Sequence, residues 1–253
     1  MFQLTDVSAT FADRRVLEVT KLDLAADEIT VLLGHNGSGK STLMAGLARQ
    51  VNLAGSIAIN GHNIHGFSAR SFAREVAHMP QNLPPAPGLT LRDMVLLARY
   101  PWRGPLRPWT ETDFARVEEA IAAVGMAPFA DVLVDELSGG ERQRGWIAAL
   151  VAQDAPFALL DEPLSALDIP YQFQVLEVIR GLNRTQGIGI MMILHDVNLA
   201  AAFADRVIAL SGGRVVFDDR AEKLMQADVL QRIYGIEPHI LLHPSRQTSV
   251  AVF

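Results

Sequence analysis

The chain has 253 residues, 49% of them hydrophobic, and its 22 basic and 28 acidic side chains give a formal net charge of −6. This length suits one large domain or a domain with a subdomain, and the acidic balance disfavours a nucleic-acid partner because it offers no excess of positive charge to phosphates. The chain has no cysteine, which excludes disulfides, thiolate zinc sites and cysteine nucleophiles.

The sequence shows neither a signal-peptide pattern at its start nor an apolar run near the ~20 residues that cross a bilayer. We therefore expect a cytosolic protein, which could still dock onto a membrane protein.

Apolar runs without polar alternation predict strands of a buried parallel sheet. They lie at 29–33, 76–79, 157–160, 190–194 and 207–210. Helical patterns separate them, following Lys40, at 114–124, following Gly140 and at 171–182. Strands that alternate with helices in this way predict an α/β core.

Two turn signals, Asn60-Gly61 and Gly212-Gly213, predict a small antiparallel layer. Between about 81 and 136, prolines are frequent and no buried-strand run occurs, so this region is predicted to be a mainly helical insertion, with Thr110 and Asp113 opening one of its helices. We predict one domain over 1–253. Its parts are a core at 1–80 and 146–237, a helical subdomain at 81–145, and a tail at 238–253 that is either packed or disordered.

The strongest motif is a glycine-rich segment between an apolar run and a helical pattern, with the sequence Gly34, His35, Asn36, Gly37, Ser38, Gly39, Lys40, Ser41, Thr42. It matches the phosphate-loop pattern, and it lies between a predicted strand and a predicted helix, as that pattern requires. Glycines allow backbone N–H groups to converge on a phosphate, and the helix N-terminus adds positive potential. Lys40 is expected to contact the β- and γ-phosphates of a nucleotide, and the Ser41 hydroxyl to ligate Mg²⁺. The alternative is a glycine-rich turn that binds no nucleotide.

Two carboxylates, Asp161 and Glu162, follow the apolar run at 157–160. Asp161 is predicted to hold Mg²⁺ through water, and Glu162 to polarise an attacking water. A solvated acidic loop after a buried strand is the alternative.

The segment Ser138, Gly139, Gly140 and Glu141, which we call the signature segment, supports two compatible interpretations. Ser138 and Glu141 form a capping box, yet the glycines between them cost about 1 kcal/mol each relative to alanine in a helix. A second helix N-terminus with bare amides predicts a second anion site. Two phosphate-binding surfaces on one chain favour a dimer in which the loop of one subunit faces the other.

Taken in order, five segments resemble the ATPase subunits of ABC transporters over nearly the whole chain: 34–41, 137–141, 160–163, 165–168 and His195. Further segments are similar to the ATPase of bacterial ferric hydroxamate (ferrichrome-type) siderophore importers, namely 79–85, 99–102, 141–144, 150–154 and 233–236. The resemblance implies an α/β P-loop NTPase (ABC ATPase) core with a small antiparallel β layer and an inserted helical subdomain.

The resemblance also implies roles for single residues. Phe11 would stack on adenine, Gln81 would contact Mg²⁺ and the attacking water, and His195 would contact the γ-phosphate. The signature segment would bind the γ-phosphate held by the opposite subunit, and Asp168 would link the two sites. For Phe11 the alternative is an ordinary core position, and for His195 it is local hydrogen bonding.

Two further positions lie within or beside these motifs. His35, within the phosphate loop, is expected to contribute only its backbone. Leu164 departs from the Thr or Ser that many relatives carry after Glu162-Pro163, which leaves the hydrogen bonding near Asp168 open.

The implied function is ATP hydrolysis, with Mg²⁺, by a homodimer at the cytoplasmic face of the bacterial inner membrane. The dimer would power iron(III)-siderophore uptake through a separate polytopic permease, supplied by a substrate-binding protein. Vitamin B12, haem or another metal chelate are alternative cargoes, and a non-transport ABC ATPase is a further alternative. A nucleic-acid-associated ATPase would show coiled-coil arms, a second cassette or a basic surface. A regulatory module that does not hydrolyse ATP would be expected to lack Glu162 or His195.

Overall fold

The structure, a computed structural model, describes residues 1–242 and 248–253. It comprises two compact units: the first is Met1–Gly66 together with Met191–Phe253, and the second is Phe67–Ile190. Part of the predicted tail, 243–247, lies outside the described residues. The predicted subdivision into core and helical subdomain stays a prediction.

Both units contain strands and helices, numbered in chain order. The strands are β1 (Phe2–Phe11), β2 (Arg14–Leu24), β3 (Ile29–Leu33), β4 (Ala54–Ile59), β5 (His62–Asn63), β6 (Val76–Met79), β7 (Phe157–Leu160), β8 (Gly189–Ile193), β9 (Arg206–Ser211), β10 (Arg214–Arg220), β11 (His239–Leu242) and β12 (Ser249–Val252). The helices are α1 (Lys40–Leu47), α2 (Ala69–Glu75), α3 (Leu91–Leu97), α4 (Tyr100–Arg103), α5 (Glu111–Ala123), α6 (Gly139–Gln153), α7 (Ile169–Gln186), α8 (Val197–Phe203) and α9 (Ala227–Tyr234).

The first unit combines antiparallel and parallel pairing. β1 pairs antiparallel with both β2 and β4, and β9 pairs antiparallel with β10. β3 lies parallel to β9, with Val31 opposite Val207. The two predicted hairpins are present, because β4 pairs with β5 around Asn60-Gly61 and β9 pairs with β10 around Gly212-Gly213.

The long β1–β2 pair was not predicted from the sequence, and its irregular backbone explains why. Phe2 and Leu4 are buried, but the next buried residue is Val7. Asp6 between them has a φ of 50°, and the register of β1 against β4 shifts here. A bulge of this kind breaks the alternation of period two by which a strand is recognised.

The end of the chain packs on α8 in the first unit. β11 and β12 form an antiparallel pair. The Asn198 amide donates to the Ala251 carbonyl at 3.1 Å and accepts from the Ala251 N–H at 2.9 Å, and the Phe253 ring lies edge-on to Tyr234. Burial raises the pKa of Tyr234 to about 12, with a further contribution from Asp196.

The second unit places helices around the parallel pair β6 and β7. α5 begins with the predicted capping box of Thr110 and Asp113. Asp113 also accepts from the buried guanidinium of Arg99 at 3.1 Å. Burial alone would raise the pKa of the Asp113 carboxyl, but the hydrogen bonds from Thr110 and Arg99 outweigh it and hold that pKa below its usual range.

Candidate phosphate-binding and catalytic site

The phosphate loop, residues 34–41, connects the buried strand β3 to α1 and contains three glycines with positive φ. The φ angles are 143° at Gly34, 77° at Gly37 and 103° at Gly39. A Cβ at Gly34 would lie 2.3 Å from the carbonyl oxygen of Leu210, and one at Gly39 would lie 2.8 Å from that of Val16. The loop therefore requires glycine at 34 and 39 both for its conformation and for its close approach to neighbouring backbone.

Lys40 is the central group of this loop. It is 5% exposed, and its ammonium donates to the carbonyl oxygens of Gly34 at 2.7 Å and His35 at 3.1 Å. Among the described residues, the buried hydroxyl of Ser38 has no hydrogen-bond partner. An ammonium group fixed beside a hydroxyl that can still donate a hydrogen bond suits the binding of an oxyanion such as a phosphate.

The start of α1 adds backbone donors to the same loop. Gly39 occupies the N-cap position and has no side chain with which to cap this helix end, so the N–H groups of the first turn are suited to a ligand. His35, Asn36, Gly37 and Ser41 are exposed, and Thr42 is half-buried. The residues fit a bound phosphate group.

Two other predicted residues of the first unit lie at strand ends. Phe11 ends β1 and is 54% exposed, so the alternative that it is an ordinary core residue is wrong. His195 is exposed in the short connection between β8 and α8. The next residue, Asp196, caps α8 by accepting from the N–H groups of Asn198 and Leu199.

The second unit brings Gln81, Asp161 and Glu162 to one edge of a parallel strand pair. Met79, at the end of β6, lies opposite Leu160, at the end of β7, and the Asp161 N–H donates to the Met79 carbonyl at 2.9 Å. Because parallel strands end at the same edge, the residues that follow them emerge together. Asp161 is buried, Glu162 is half-buried and Gln81 is exposed.

The signature segment forms the predicted capping box at the start of α6. The Ser138 N–H donates to the Glu141 carboxylate at 2.8 Å, and the Glu141 N–H donates to the Ser138 hydroxyl at 3.4 Å. Hydrogen bonds to the Glu141 carboxylate from the Ser138 side chain and backbone N–H lower the pKa of Glu141, and Arg144 lowers it further. The carboxylate is therefore the form that caps this helix.

The fold described here does not explain why the signature segment has glycine at both of these positions. Neither Gly139 nor Gly140 has a positive φ. A Cβ at Gly139 would meet nothing within 4 Å, and one at Gly140 would lie at 3.4 Å or more from its neighbours. A bare backbone at an exposed helix start permits close approach by a ligand.

Asp168 stands at the N-cap of α7, but its side chain makes no capping hydrogen bond. The residues that follow include the exposed apolar side chains of Ile169 and Tyr171. Leu164 is buried at 7% exposure. It therefore places an apolar side chain in the packed interior of this loop.

Gln143, which is 4% exposed on α6, was not among the site residues predicted from the sequence. Its amide donates to the Glu162 carbonyl at 3.3 Å and accepts from the Ala166 N–H at 3.1 Å. One signal could have found it: Gln143 precedes the buried residues Ile147 and Leu150 by four and seven positions, so it lies on the apolar face of α6. A polar residue on such a face needs hydrogen-bond partners.

Comparison with families of known proteins matches residues 17–165 to the ABC transporter family. The chain belongs to this family. The similarity of curated relatives extends over almost its whole length. The achromobactin transport ATP-binding protein CbrD of Dickeya dadantii (strain 3937) is 36% identical over 249 residues, which cover 98% of this chain and 92% of CbrD. The iron(3+)-hydroxamate import ATP-binding protein FhuC of Bacillus subtilis (strain 168) is 35% identical over 244 residues, 96% of this chain and 90% of FhuC.

The dimeric structure of MJ0796, a bacterial ABC transporter cassette, has the same fold. It superposes with a TM-score of 0.79 at 24% identity, covering 87% of this chain and 99% of MJ0796. This confirms the predicted P-loop NTPase fold class. As a member of the ABC transporter family, the protein binds ATP and is an ATPase. Within the part of the chain that the structure describes, no helix has the length and hydropathy of a membrane span.

Proposed function

We propose that this ABC transporter ATPase powers the import of an iron(III)-siderophore, with the hydroxamate type as the first cargo to test. The observation that carries the proposal is end-to-end similarity to CbrD and FhuC, named for achromobactin transport and iron(3+)-hydroxamate import. The cargo would reach the ATPase's partner permease through a substrate-binding protein.

ATP binding and hydrolysis would divide among the predicted residues as follows. Lys40 and the backbone amides of the phosphate loop hold the phosphates, and Phe11 offers an exposed aromatic face for adenine. Glu162 accepts a proton from the attacking water, while Gln81 and His195 orient the water and the γ-phosphate. These roles rely on positioning and electrostatics, with no covalent intermediate on the protein.

The oxygen-bearing side chains of Ser41, Gln81 and Asp161 are the proposed ligands of Mg²⁺, with Asp161 acting through water. Hydroxyl, amide and carboxylate oxygens are the hard donors that this cation prefers. When bound, Mg²⁺ would neutralise phosphate charge during the reaction.

The working form is proposed to be a homodimer in which each signature segment contacts the nucleotide of the other subunit. Three observations support this: two glycines that the fold does not require, an Asp168 side chain that makes no capping hydrogen bond, and exposed Ile169 and Tyr171 at the start of α7. The related cassette MJ0796 is described as dimeric.

The proposed site for the permease is a groove of about 390 Å³ in the second unit, which we call the docking groove. Its lining includes Pro85, Pro87, Leu89, Met94, Leu97 and Trp146. His78 also borders it, and burial lowers the pKa of His78 to about 4. His78 is therefore uncharged at neutral pH, and the other lining residues named here are apolar. A groove of this kind suits an apolar helix of a membrane protein. Such docking would hold the ATPase at the cytoplasmic face of the bacterial inner membrane.

Replacing Leu97 with glutamate is expected to uncouple hydrolysis from uptake, because it places a charge in the docking groove where Leu97 is half exposed. Uptake should fall at least about tenfold, the effect of losing about 1.4 kcal/mol of docking energy, while ATP affinity stays within twofold. The matched control is Leu106→Glu, at a residue that is 99% exposed and outside the groove. Equal loss of uptake in both variants, or weakened ATP binding in Leu97→Glu, would contradict the docking role.

The cargo is tested by deleting the gene for this protein in its own bacterium and measuring uptake of ⁵⁵Fe. We expect uptake of the ⁵⁵Fe–hydroxamate complex to be lost, to return with the wild-type gene, and not to return with the Glu162→Gln variant. ⁵⁵Fe–haem and labelled vitamin B12 serve as parallel cargoes. Unchanged hydroxamate uptake together with loss of one of these would reassign the cargo.

A further inference from the structure

We propose that Gln143 is a positioning residue for Glu162 and joins the conformation of that catalytic carboxylate to the helix that carries the signature segment. This rests on the proposed role of Glu162. Gln143 contacts no part of the reacting groups in this scheme. It acts through the backbone of Glu162 and through the loop that follows.

The backbone of Glu162 needs to be held in place. Its φ is 54°, in the left-handed region, which is unfavourable for a residue with a side chain because its Cβ approaches the backbone too closely. Such a conformation persists only when the surrounding structure determines it. In this unit the Glu162 carbonyl accepts from the Gln143 amide at 3.3 Å, the Ser165 hydroxyl at 3.1 Å and the Ser165 N–H at 3.3 Å.

Of these donors, only Gln143 comes from outside the loop. Ser165 is three residues from Glu162 and moves with it, whereas Gln143 belongs to α6. The carbonyl oxygen of the same amide accepts from the Ala166 N–H, so one side chain clamps both ends of the segment 162–166. Since Gln143 is almost fully buried, losing either hydrogen bond would leave a buried polar group without a partner, which is unfavourable.

The clamp connects two sites that are separate in sequence. Gln143 lies five residues after Ser138, the N-cap of α6, or about 7.5 Å along a helix with a rise of 1.5 Å per residue. A displacement of α6 caused by a ligand at the signature segment would therefore shift the anchor of Glu162. In the proposed dimer, the nucleotide held by one subunit contacts the signature segment of its partner. It would in this way control the position of the partner's own catalytic carboxylate, which acts on the nucleotide that the partner holds.

The first test is Gln143→Met, which keeps the length of the side chain and removes both hydrogen bonds. In the full-length protein, kcat for ATP should fall by about 10- to 100-fold, the scale expected when a catalytic group is misplaced by up to about 1 Å. The KM and the affinity for ATP should stay within twofold, because Lys40 and the phosphate loop are untouched. A kcat within twofold of wild type in a folded Gln143→Met protein would overturn the proposal.

The second test separates positioning from a general loss of structure. The substitution Gln143→Glu retains an acceptor for the Ala166 N–H but, when ionised, directs a carboxylate at the Glu162 carbonyl. When protonated, the introduced carboxyl regains a donor. Activity relative to wild type should therefore be low at pH 8 and recover as the pH falls through the pKa of that carboxyl, which burial raises. An activity ratio that does not change with pH would count against a hydrogen bond to Glu162.

The matched control is Gln172→Met. Gln172 donates to the carbonyl groups of Leu164 and Leu167, at 3.4 and 3.0 Å, and so supports the same loop through carbonyl groups other than that of Glu162. Its kcat should stay within twofold of wild type. An equal loss in both variants would assign the effect to loop rigidity. If Glu162→Gln remains active, the proposed catalytic role fails; if Glu162→Gln is inactive while Gln143→Met is active, only the present inference fails.

Discussion

Replacing Glu162 with glutamine is expected to lower ATP turnover by about 10²–10⁴-fold, the usual contribution of a general base. The amide keeps the size of the side chain but cannot accept a proton from water at neutral pH. ATP should still bind with near wild-type affinity, because Lys40 and the rest of the phosphate loop are unchanged. Phosphate release and equilibrium binding of labelled ATP measure the two quantities separately.

The same variant also tests the dimer. If nucleotide bound between two copies holds them together, Glu162→Gln with ATP and Mg²⁺ should elute as a dimer from a sizing column, and the wild type should return to monomer as it hydrolyses ATP. The control is Glu177→Gln on α7, at an exposed carboxylate paired with Arg180, which should behave as wild type. Turnover by Glu162→Gln within threefold of wild type would remove Glu162 from its proposed role.

Replacing Lys40 with alanine is expected to weaken ATP binding at least about 100-fold. Hydrogen bonds to charged groups contribute about 1.5–3 kcal/mol each, and two phosphate contacts at the lower end amount to about two factors of ten. Binding of labelled or fluorescent ATP to the purified protein measures this loss. Hydrolysis at low ATP should fall in parallel.

The Lys40 result needs a check on folding, because the ammonium also holds the loop through Gly34 and His35. Thermal unfolding of Lys40→Ala without nucleotide should remain cooperative, since α1 and β3 keep their backbone hydrogen bonds. The control Lys21→Ala removes an exposed lysine whose nearest acidic partner is Asp23 at 3.7 Å, and it should bind ATP normally. Normal ATP affinity in Lys40→Ala would contradict the assignment of the phosphate loop.

Much of the local structure was predictable because it depends on residues close together in the chain. The runs Ile29–Leu33, Val76–Met79 and Phe157–Leu160 are strands as predicted, and each is largely buried. The capping boxes at Ser138 and Thr110 involve positions three residues apart. Short-range geometry of this kind can be read from residue types alone.

The environment of the candidate site was less predictable, because it depends on neighbours far along the chain. Nothing in the local sequence indicates that Phe11 is exposed, since aromatic residues are commonly buried. The bulge in β1 interrupts the alternation of buried and exposed residues, so this strand was not predicted. The left-handed conformation of Glu162 is unexpected for a residue with a side chain, and it is accompanied by a hydrogen bond from Gln143, nineteen residues away.

By itself, the sequence determined the chemistry of this protein: the order of glycines and lysine in the phosphate loop, the carboxylates after β7 and the capped start of α6 are short patterns whose geometry is local. Only the tertiary structure decided how those groups are held. The clamp on Glu162 and the apolar docking groove arise where distant segments pack, and burial and hydrogen-bond satisfaction at such places are properties of the folded chain.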